Sequence, residues 1–434
     1  MADEGFRFVC TADLHLGRHP SRIPSDVDES SFSTSAVWGR IAQEAIRHDV
    51  DAVLIAGDIG DRDNRYFEVF GAFEAGLRDL AEANIPVITV AGNHDAEFLP
   101  QIVDDIDSEI LHLLGRGGEW GYHCLDGPDG KTARIDGWSF PRQHVTVSPL
   151  EDDSIPTTEH DLHLGLVHAD LDGSARRYAP VDSASIASAP VDAWILGHIH
   201  APHKAHSGTP IAFYPGSPQP LDPGEPGPHG PWLLSWSPGA GVQIEQLPTA
   251  SIRFEEVAVD VENIESPADA MPQISDALTT AMTDIADPGD LRLFRPTIRL
   301  RGRCAAHAEL VGRAPEMASQ IVEQEAGIAI RPEQVVVDTK PDLDLETLAD
   351  ASGPIGYLSS VLLSIEAGNG TEATPELLAN ASDRMRLAQS AGTYAPLKRE
   401  RGLNDPTDER AIEVIEREAR QLLDVLVAQK EGTQ

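Results

Sequence analysis

The chain is predicted to fold as an α/β protein, and three features of its pattern carry that prediction. Short apolar runs read as buried strands at 6–12 (FRFVCTA), 52–57 (AVLIAG), 85–92 (IPVITVAG), 162–168 (LHLGLVH) and 192–198 (DAWILGH). Helical spacing fills the first two gaps, so strand and helix alternate. Each strand then ends in a polar cluster: DLH, GDIGD, GNHD, HADL and GHIH. Carboxyl ends of strands are where α/β sheets gather their ligands.

Taken in order, Ala36, Ile41 and Ala45 mark the first helix, and Phe67, Phe70, Phe73, Leu77 and Leu80 mark the second. Proline and glycine dominate 214–231, from YPGSPQP to GEPGPHGP, which predicts constrained loops before a final strand, WLLSW. A different pattern follows. EEVAVDV reads as a strand, 267–286 as a helix with Met271, Ile274, Leu278, Met282 and Ile285 on one face, and PTIRLRG as a strand. A second helix through Ile321 and the strand EQVVVDT complete a small α/β module. From about 341 the chain reads as helical, with Thr374–Pro375 and Asp405–Pro406 as cap and first-turn proline pairs. Ile412, Ile415, Leu422 and Leu426 stripe the last helix, for packing on its own domain or docking a partner. The expected division is therefore 1–250, 252–338 and 341–434.

Composition narrows the class. A chain of 434 residues with 41% hydrophobic content can fill two or three cores. No apolar stretch is long enough to span a membrane, and MADEGFRFVC lacks the pattern of a signal peptide. Cys10, Cys124 and Cys304 have no disulfide or metal spacing, so a soluble cytoplasmic protein is expected. The formal net charge is −38, and only five of the 33 basic residues are lysine. Such an acidic surface fits either an arginine-rich protein of an ordinary cell or, the reading favoured, a very salty cytoplasm where self-repulsion is screened. It argues against a simple nucleic-acid binder.

The strand-end clusters supply Asp13, His15, Asp58, Asn93, His94, His168, His198 and His200. Carboxylate, amide and imidazole ligands together suit manganese, iron or zinc rather than calcium. Residues i and i+2 of a strand point the same way about 6.5–7 Å apart. His198 and His200 can then serve different ions of a pair roughly 3.5–4 Å apart, while Asp13 and His15 share one ion. Asp58, between Gly57 and an apolar strand, is the candidate bridge. Two such ions activate a water and bind phosphate oxygens, as phosphoester hydrolysis requires. Any one cluster could be a helix cap, a turn or a rim histidine; their order, each at a strand end, sets those readings aside.

In that order the motifs resemble the calcineurin-like metallophosphoesterases, whose pattern is D-x-H, G-D-x-x-D, G-N-H-D/E, H and G-H-x-H. The resemblance covers residues 8 to about 220. It implies a double-sheet sandwich flanked by helices, followed by a small α/β cap domain and a helical C-terminal tail. It also implies that Asp13, His15, Asp58 and His200 hold one metal, and Asp58, Asn93, His168 and His198 the other. His94 would be the unligated catalytic histidine acting on the leaving group, oriented by Asp95. TADLHLG, GNHD and YPGSPQP look like DNA-repair nucleases of the SbcD and meiotic-recombination type, and LDGSARRYAPV and GPIGYL look closer to the YhaO-type branch. Asp61 stands where some relatives carry a second active-site histidine.

What the resemblance implies is a manganese-dependent DNA exonuclease, with endonuclease activity open, acting in double-strand break repair. Its partners would be DNA and a coiled-coil ABC ATPase, SbcC-like or YhaN-like, bound by the tail; a homodimer is left open. Arg18, Arg62 and Arg65 lie beside the metal-bearing loops, as solvated residues or as DNA contacts. One alternative is a metallophosphatase or phosphodiesterase acting on a small phosphoester. The other is a structural subunit with a vestigial site, which the presence of every motif counts against.

Overall fold

A computed structural model describes residues 5–21, 23–27, 29–61, 66–150, 154–173, 177–285, 287–368, 375–390 and 408–431. Six strands form a first sheet: β1 (Phe6–Thr11), β2 (Ala52–Ile55), β3 (Val87–Thr89), β4 (Leu111–Leu113), β13 (Trp232–Ser237) and β14 (Gly241–Gln246). Their order is β14-β13-β1-β2-β3-β4, with β1 to β4 mutually parallel and β13 antiparallel to β1. Six more form a second sheet: β5 (Trp120–Asp126), β6 (Thr132–Trp138), β7 (Leu162–His168), β10 (Ala193–Gly197), β11 (His203–His206) and β12 (Ile211–Tyr214). These run β11-β12-β10-β7-β6-β5. The short strands β8 (Asp170–Leu171) and β9 (Pro180–Val181) pair with each other.

Period-two alternation packs the sheets face to face. Phe6, Phe8 and Cys10 of β1 and Ala52 and Leu54 of β2 point into a core shared with Ile135, Leu164, Leu166 and Ile195 of the second sheet. Val9, Val53 and Ile55 point the other way, against Trp38 and Ile41 of α1 (Thr34–Arg47) and Phe73 and Leu77 of α2 (Tyr66–Glu82). Both faces are covered, so the strands read as unbroken apolar runs. Ser33 caps α1 by accepting from the amide of Ala36 at 3.2 Å, and the Trp38 indole donates to the carbonyl of Phe73 at 3.1 Å. The outer face of the second sheet buries Trp138, Trp194 and Tyr214 with Ile186 of α4 (Ser183–Ser188). The expected double-sheet α/β sandwich is thus the observed one, with α3 (Leu99–Ile106) following β3.

A third sheet runs β15 (Ile252–Asp260), β16 (Leu293–Cys304), β18 (Ile328–Ile330), β17 (Glu323–Glu325), with β19 (Gln334–Pro341) beside β16. Helices α5 (Pro267–Thr283) and α6 (His307–Gln320) accompany it. Compactness divides the chain into one unit of Met1–Val259, Met271–Leu300 and Gly312–Val337 and another of Asp260–Ala270, Arg301–Val311 and Asp338–Gln434. Of the span 252–338, residues 252–259, 271–300 and 312–337 fall in the first unit and 260–270, 301–311 and 338 in the second. WLLSW is not the last strand of the sandwich, because it turns back into β14.

The second unit has its own apolar cluster of Leu345, Leu362, Ala419 and Leu423, drawn from α7 (Leu345–Ala349), α8 (Pro354–Glu366) and the helix Asp408–Glu431. That last helix buries Ala411, Ala419 and Leu423, whereas Leu422 is 50% exposed. Of the expected Ile412, Ile415, Leu422 and Leu426, the first, second and fourth are only partly covered and Leu422 is exposed. Asp424 ties this helix down by accepting from Arg303 Nη2 with both oxygens, each at 2.7 Å, and from Lys340 Nζ at 2.8 Å. The Thr374 and Asp405–Pro406 cap positions lie outside the described residues. No helix among the described residues is long and apolar enough to cross a membrane.

Candidate metal centre

The strand ends meet because their loops are zipped together. The amide of Asp13 donates to the carbonyl of Gly57 at 3.0 Å, that of His15 to Asp58 at 3.0 Å and that of Leu16 to Ile59 at 2.8 Å. The chain leaves β1, β2 and β10 through left-handed backbone at Asp13 (φ 50°), His15 (φ 43°), Asp58 (φ 53°) and His198 (φ 100°). Such conformations cost non-glycine residues about 1–3 kcal/mol each and persist only where the surroundings impose them. Here they turn side chains back over the strand ends. Gly92 is required for a different reason: a Cβ there would lie 2.1 Å from Asp58 Oδ1.

Three groups of candidate ligand atoms result, each within 4.8 Å: Asp13, His15 and His200; Asp13, Asp58 and His168; and His15, Asp61 and His94. Asn93 joins the second, its Oδ1 lying 3.0 Å from His168 Nε2 and 3.2 Å from His198 Nδ1. His15 and His200 present Nε2 to Nε2 at 3.2 Å. His198 and His200 do face different groups, but not as i and i+2 of a strand. Strand β10 stops at Gly197, and the turn at His198 separates the two rings. Asp13, not Asp58, is the carboxylate common to the first two groups. Asp58 has both oxygens engaged, Oδ1 by the His94 amide at 2.8 Å and Oδ2 facing His168 Nε2 at 3.3 Å.

Electrostatics suit a cation. Asp13 and Asp58 are 1% and 2% exposed. Burial raises the Asp13 carboxyl, and the charge of Asp58 raises it further, against the pull of His168 and His200. Burial acts against charge on Asp58 too, yet His168 draws its carboxyl below the usual range. Burial, then the charge of His168, pushes His198 down to about 3, so this ring stays neutral as a ligand must. His168 goes up to about 9, because Asp58 outweighs the cost of burial. Carboxylate oxygens and imidazole nitrogens converging without thiolate are a donor set for borderline divalent ions.

Two assignments change. Asp95 does not orient His94: its oxygens accept from the amides of Ile59 and Gly92, each at 2.7 Å, and it is wholly buried. It clamps two motif loops together. The partner of His94 is Asp61, with Oδ1 2.6 Å from Nδ1. That hydrogen bond raises the imidazole, against burial. Burial would push Asp61 up, but its hydrogen bonds to His15 and His94 hold it well below the carboxylate range. Arg18 is ion-paired with Asp61, so its charge is engaged inside the site. Arg62 and Arg65 lie outside the described residues. His94 keeps 35% of its side chain exposed, against 1% for His15 and none for His168. Glu225 was missed: its Oε1 lies 2.6 Å from His200 Nδ1. Nothing in the Pro/Gly-rich segment around it signals a partner 25 residues away.

A sandwich whose strand ends carry this cluster defines a class. Residues 6–202 match the calcineurin-like phosphoesterases, and the chain carries that metallophosphoesterase domain, a fold that binds two divalent metals. Residues 254–340 match the middle domain of the metallophosphoesterase YhaO, and the chain is homologous to YhaO and Mre11 proteins. It is 26% identical over 283 residues to an uncharacterized metallophosphoesterase YhaO of Bacillus subtilis, covering 58% of this chain and 63% of that one. It is 30% identical over 214 residues to the DNA double-strand break repair protein Mre11 of Aeropyrum pernix, covering 46% and 51%. The matches thus span about half to two thirds of these relatives. Among solved structures, a dimetal phosphatase from Danio rerio is similar at TM-score 0.37 and 12% identity, covering 56% of this chain and 99% of that one.

Proposed function

We propose that the chain is a manganese-dependent DNA nuclease, an exonuclease with endonuclease activity open, that works in double-strand break repair beside a coiled-coil ABC ATPase. The observation that carries this reading is the convergence of Asp13, His15, Asp58, Asn93, His168, His198 and His200 beside a partly exposed His94 held by Asp61. The match to Mre11 repair proteins supports DNA as the phosphodiester.

Asp13, His15, Asp58 and His200 would hold one ion, and Asp58, Asn93, His168 and His198 the other, so that Asp58 would serve both. When bound, the pair supplies Lewis acidity toward phosphate oxygens and an activated water. The chain's own contribution lies around it. His94, on the open rim, donates a proton to the leaving oxygen, and Asp61 fixes which ring nitrogen faces outward. Buried Asp13 and Asp58 keep their carboxylates aimed inward through the strand-end turns. The tail from 341, with its separate core, is assigned to the ATPase.

Labelled linear DNA, incubated with the full chain and Mn²⁺ at low and molar salt, tests the reading, with bis-p-nitrophenyl phosphate in parallel. Metal-dependent shortening of DNA is expected. Hydrolysis of the small ester with DNA left intact would instead favour a small-substrate phosphodiesterase.

A further inference from the structure

We propose that Glu225 is the positioning residue for His200, fixing the tautomer and direction of that ring so that Nε2 offers its lone pair to the position shared with Asp13 and His15. The inference rests on the metal-site reading above. Glu225 Oε1 lies 2.6 Å from His200 Nδ1, while Nε2 on the far side of the ring looks at His15 Nε2 across 3.2 Å. A neutral imidazole carries one proton, so donating from Nδ1 leaves Nε2 as an acceptor.

The carboxylate is itself held. Its Oε2 accepts from the amide of Leu221 at 2.8 Å and from the Ser217 hydroxyl at 3.2 Å. Ser217 in turn donates its amide to the carbonyl of His200 at 3.0 Å. The loop runs flush against His200 here: Gly216 has φ 77°, and a Cβ on it would sit 2.5 Å from the His200 carbonyl oxygen. The Pro/Gly-rich segment thus grips His200 at both backbone and ring.

The backing is unequal across the site. His168 Nδ1 faces a neutral carbonyl, that of Ala56, at 2.9 Å. His200 faces Glu225, and His15 Nδ1 stands 3.3 Å from Asp61, which also serves His94 and Arg18. A carboxylate behind a ligating imidazole makes it a stronger donor, and removing such a partner costs roughly 10–100-fold in metal affinity. Glu225 therefore acts on one of the two metal positions, the one served by Asp13, His15 and His200.

Titration of the full chain with Mn²⁺ by calorimetry and electron paramagnetic resonance tests this, with circular dichroism to confirm folding. Glu225→Ala should weaken one of two binding steps by about 10–100-fold and leave the other unchanged. Glu225→Gln keeps an acceptor for Nδ1–H and should show a smaller loss at the same step. If the alanine variant does not fold, this selective loss decides alone, and no loss or equal loss at both steps overturns the proposal. Ser217→Ala removes one of the two bonds that hold the Glu225 carboxylate and should show a smaller loss than Glu225→Ala at the same step; a loss at the other step, or one larger than that of Glu225→Ala, overturns the proposal. A parent chain binding two ions with Glu225→Ala unchanged overturns it alone. A parent chain that binds no Mn²⁺ overturns the metal-site reading and this proposal together.

Discussion

His94 and Asp61 form a hydrogen-bonded pair at the rim of the cluster, Nδ1 to Oδ1 at 2.6 Å. The pair couples the exposed ring to a carboxylate that also faces His15 Nδ1 at 3.3 Å. His94→Ala or His94→Gln should keep metal binding while turnover falls by roughly 10²–10⁴, the size of a general-acid contribution. Asp61→Asn should fall between parent and His94→Ala. Because Asp61 raises the His94 imidazole, its loss should move the alkaline limb of the pH–rate profile to lower pH. A metal titration in which His94→Ala emptied the site would refute the role given to it.

Asp58→Ala should abolish hydrolysis and lose both ions. Asp58 faces His168 directly and also feels the charges of His15 and His94. Metal content after dialysis compares it with Asp13→Ala, since Asp13 is the carboxylate common to two of the ligand groups. If only Asp13→Ala lost both ions, the bridge would be Asp13.

The strand-end clusters were legible because each motif follows a strand buried on both faces, a pattern carried by consecutive residues. The edge strands were not. From Gly121 to Asp126 only alternate residues are partly covered, and His203–His206 is polar but for Ala205. Contacts between distant loops were equally hidden. Asp61 and Glu225 matter through partners 33 and 25 residues away, set by sandwich geometry rather than by local pattern. Asp95 misled for the opposite reason: adjacency to His94 suggested contact, but its side chain turns to the backbone of Gly92 and Ile59.

The metal-free chain should lose stability as pH rises from about 6.5, the ordinary imidazole value, toward 9. Burial works against protonated His168 and His200, but Asp58 on the one and Glu225 on the other raise both to about 9. A raised folded value gives stability that is full below the unfolded value and is lost through the folded one. Asp95, raised to about 7 by burial and then Asp58, acts in the same direction at lower pH. With Mn²⁺ bound the rings hold a cation in place of the proton, so the decline should shrink. Calorimetric melting of chelated and loaded protein across this window checks it; a chelated Tm that climbed would contradict the assignment.

The last prediction concerns salt, where charge and proposed function oppose each other. An ordinary DNA-binding protein weakens steeply as salt rises, because each neutralised phosphate releases counterions. A chain at −38 repels DNA at low ionic strength, and Arg18, beside the site, is already paired with Asp61. Added salt should first screen that repulsion and also the self-repulsion of the fold. Activity on DNA should therefore increase from low toward molar salt, with thermal unfolding shifted upward in parallel. Hydrolysis of bis-p-nitrophenyl phosphate should follow only the stability change, since a small ester meets far less of the surface field. If DNA cleavage instead collapsed between about 0.05 and 0.2 M salt with the fold intact, the range over which ordinary DNA binders weaken, the salty-cytoplasm reading would fail. DNA would then have to be held by a basic groove, with Arg18 released from Asp61 to join it.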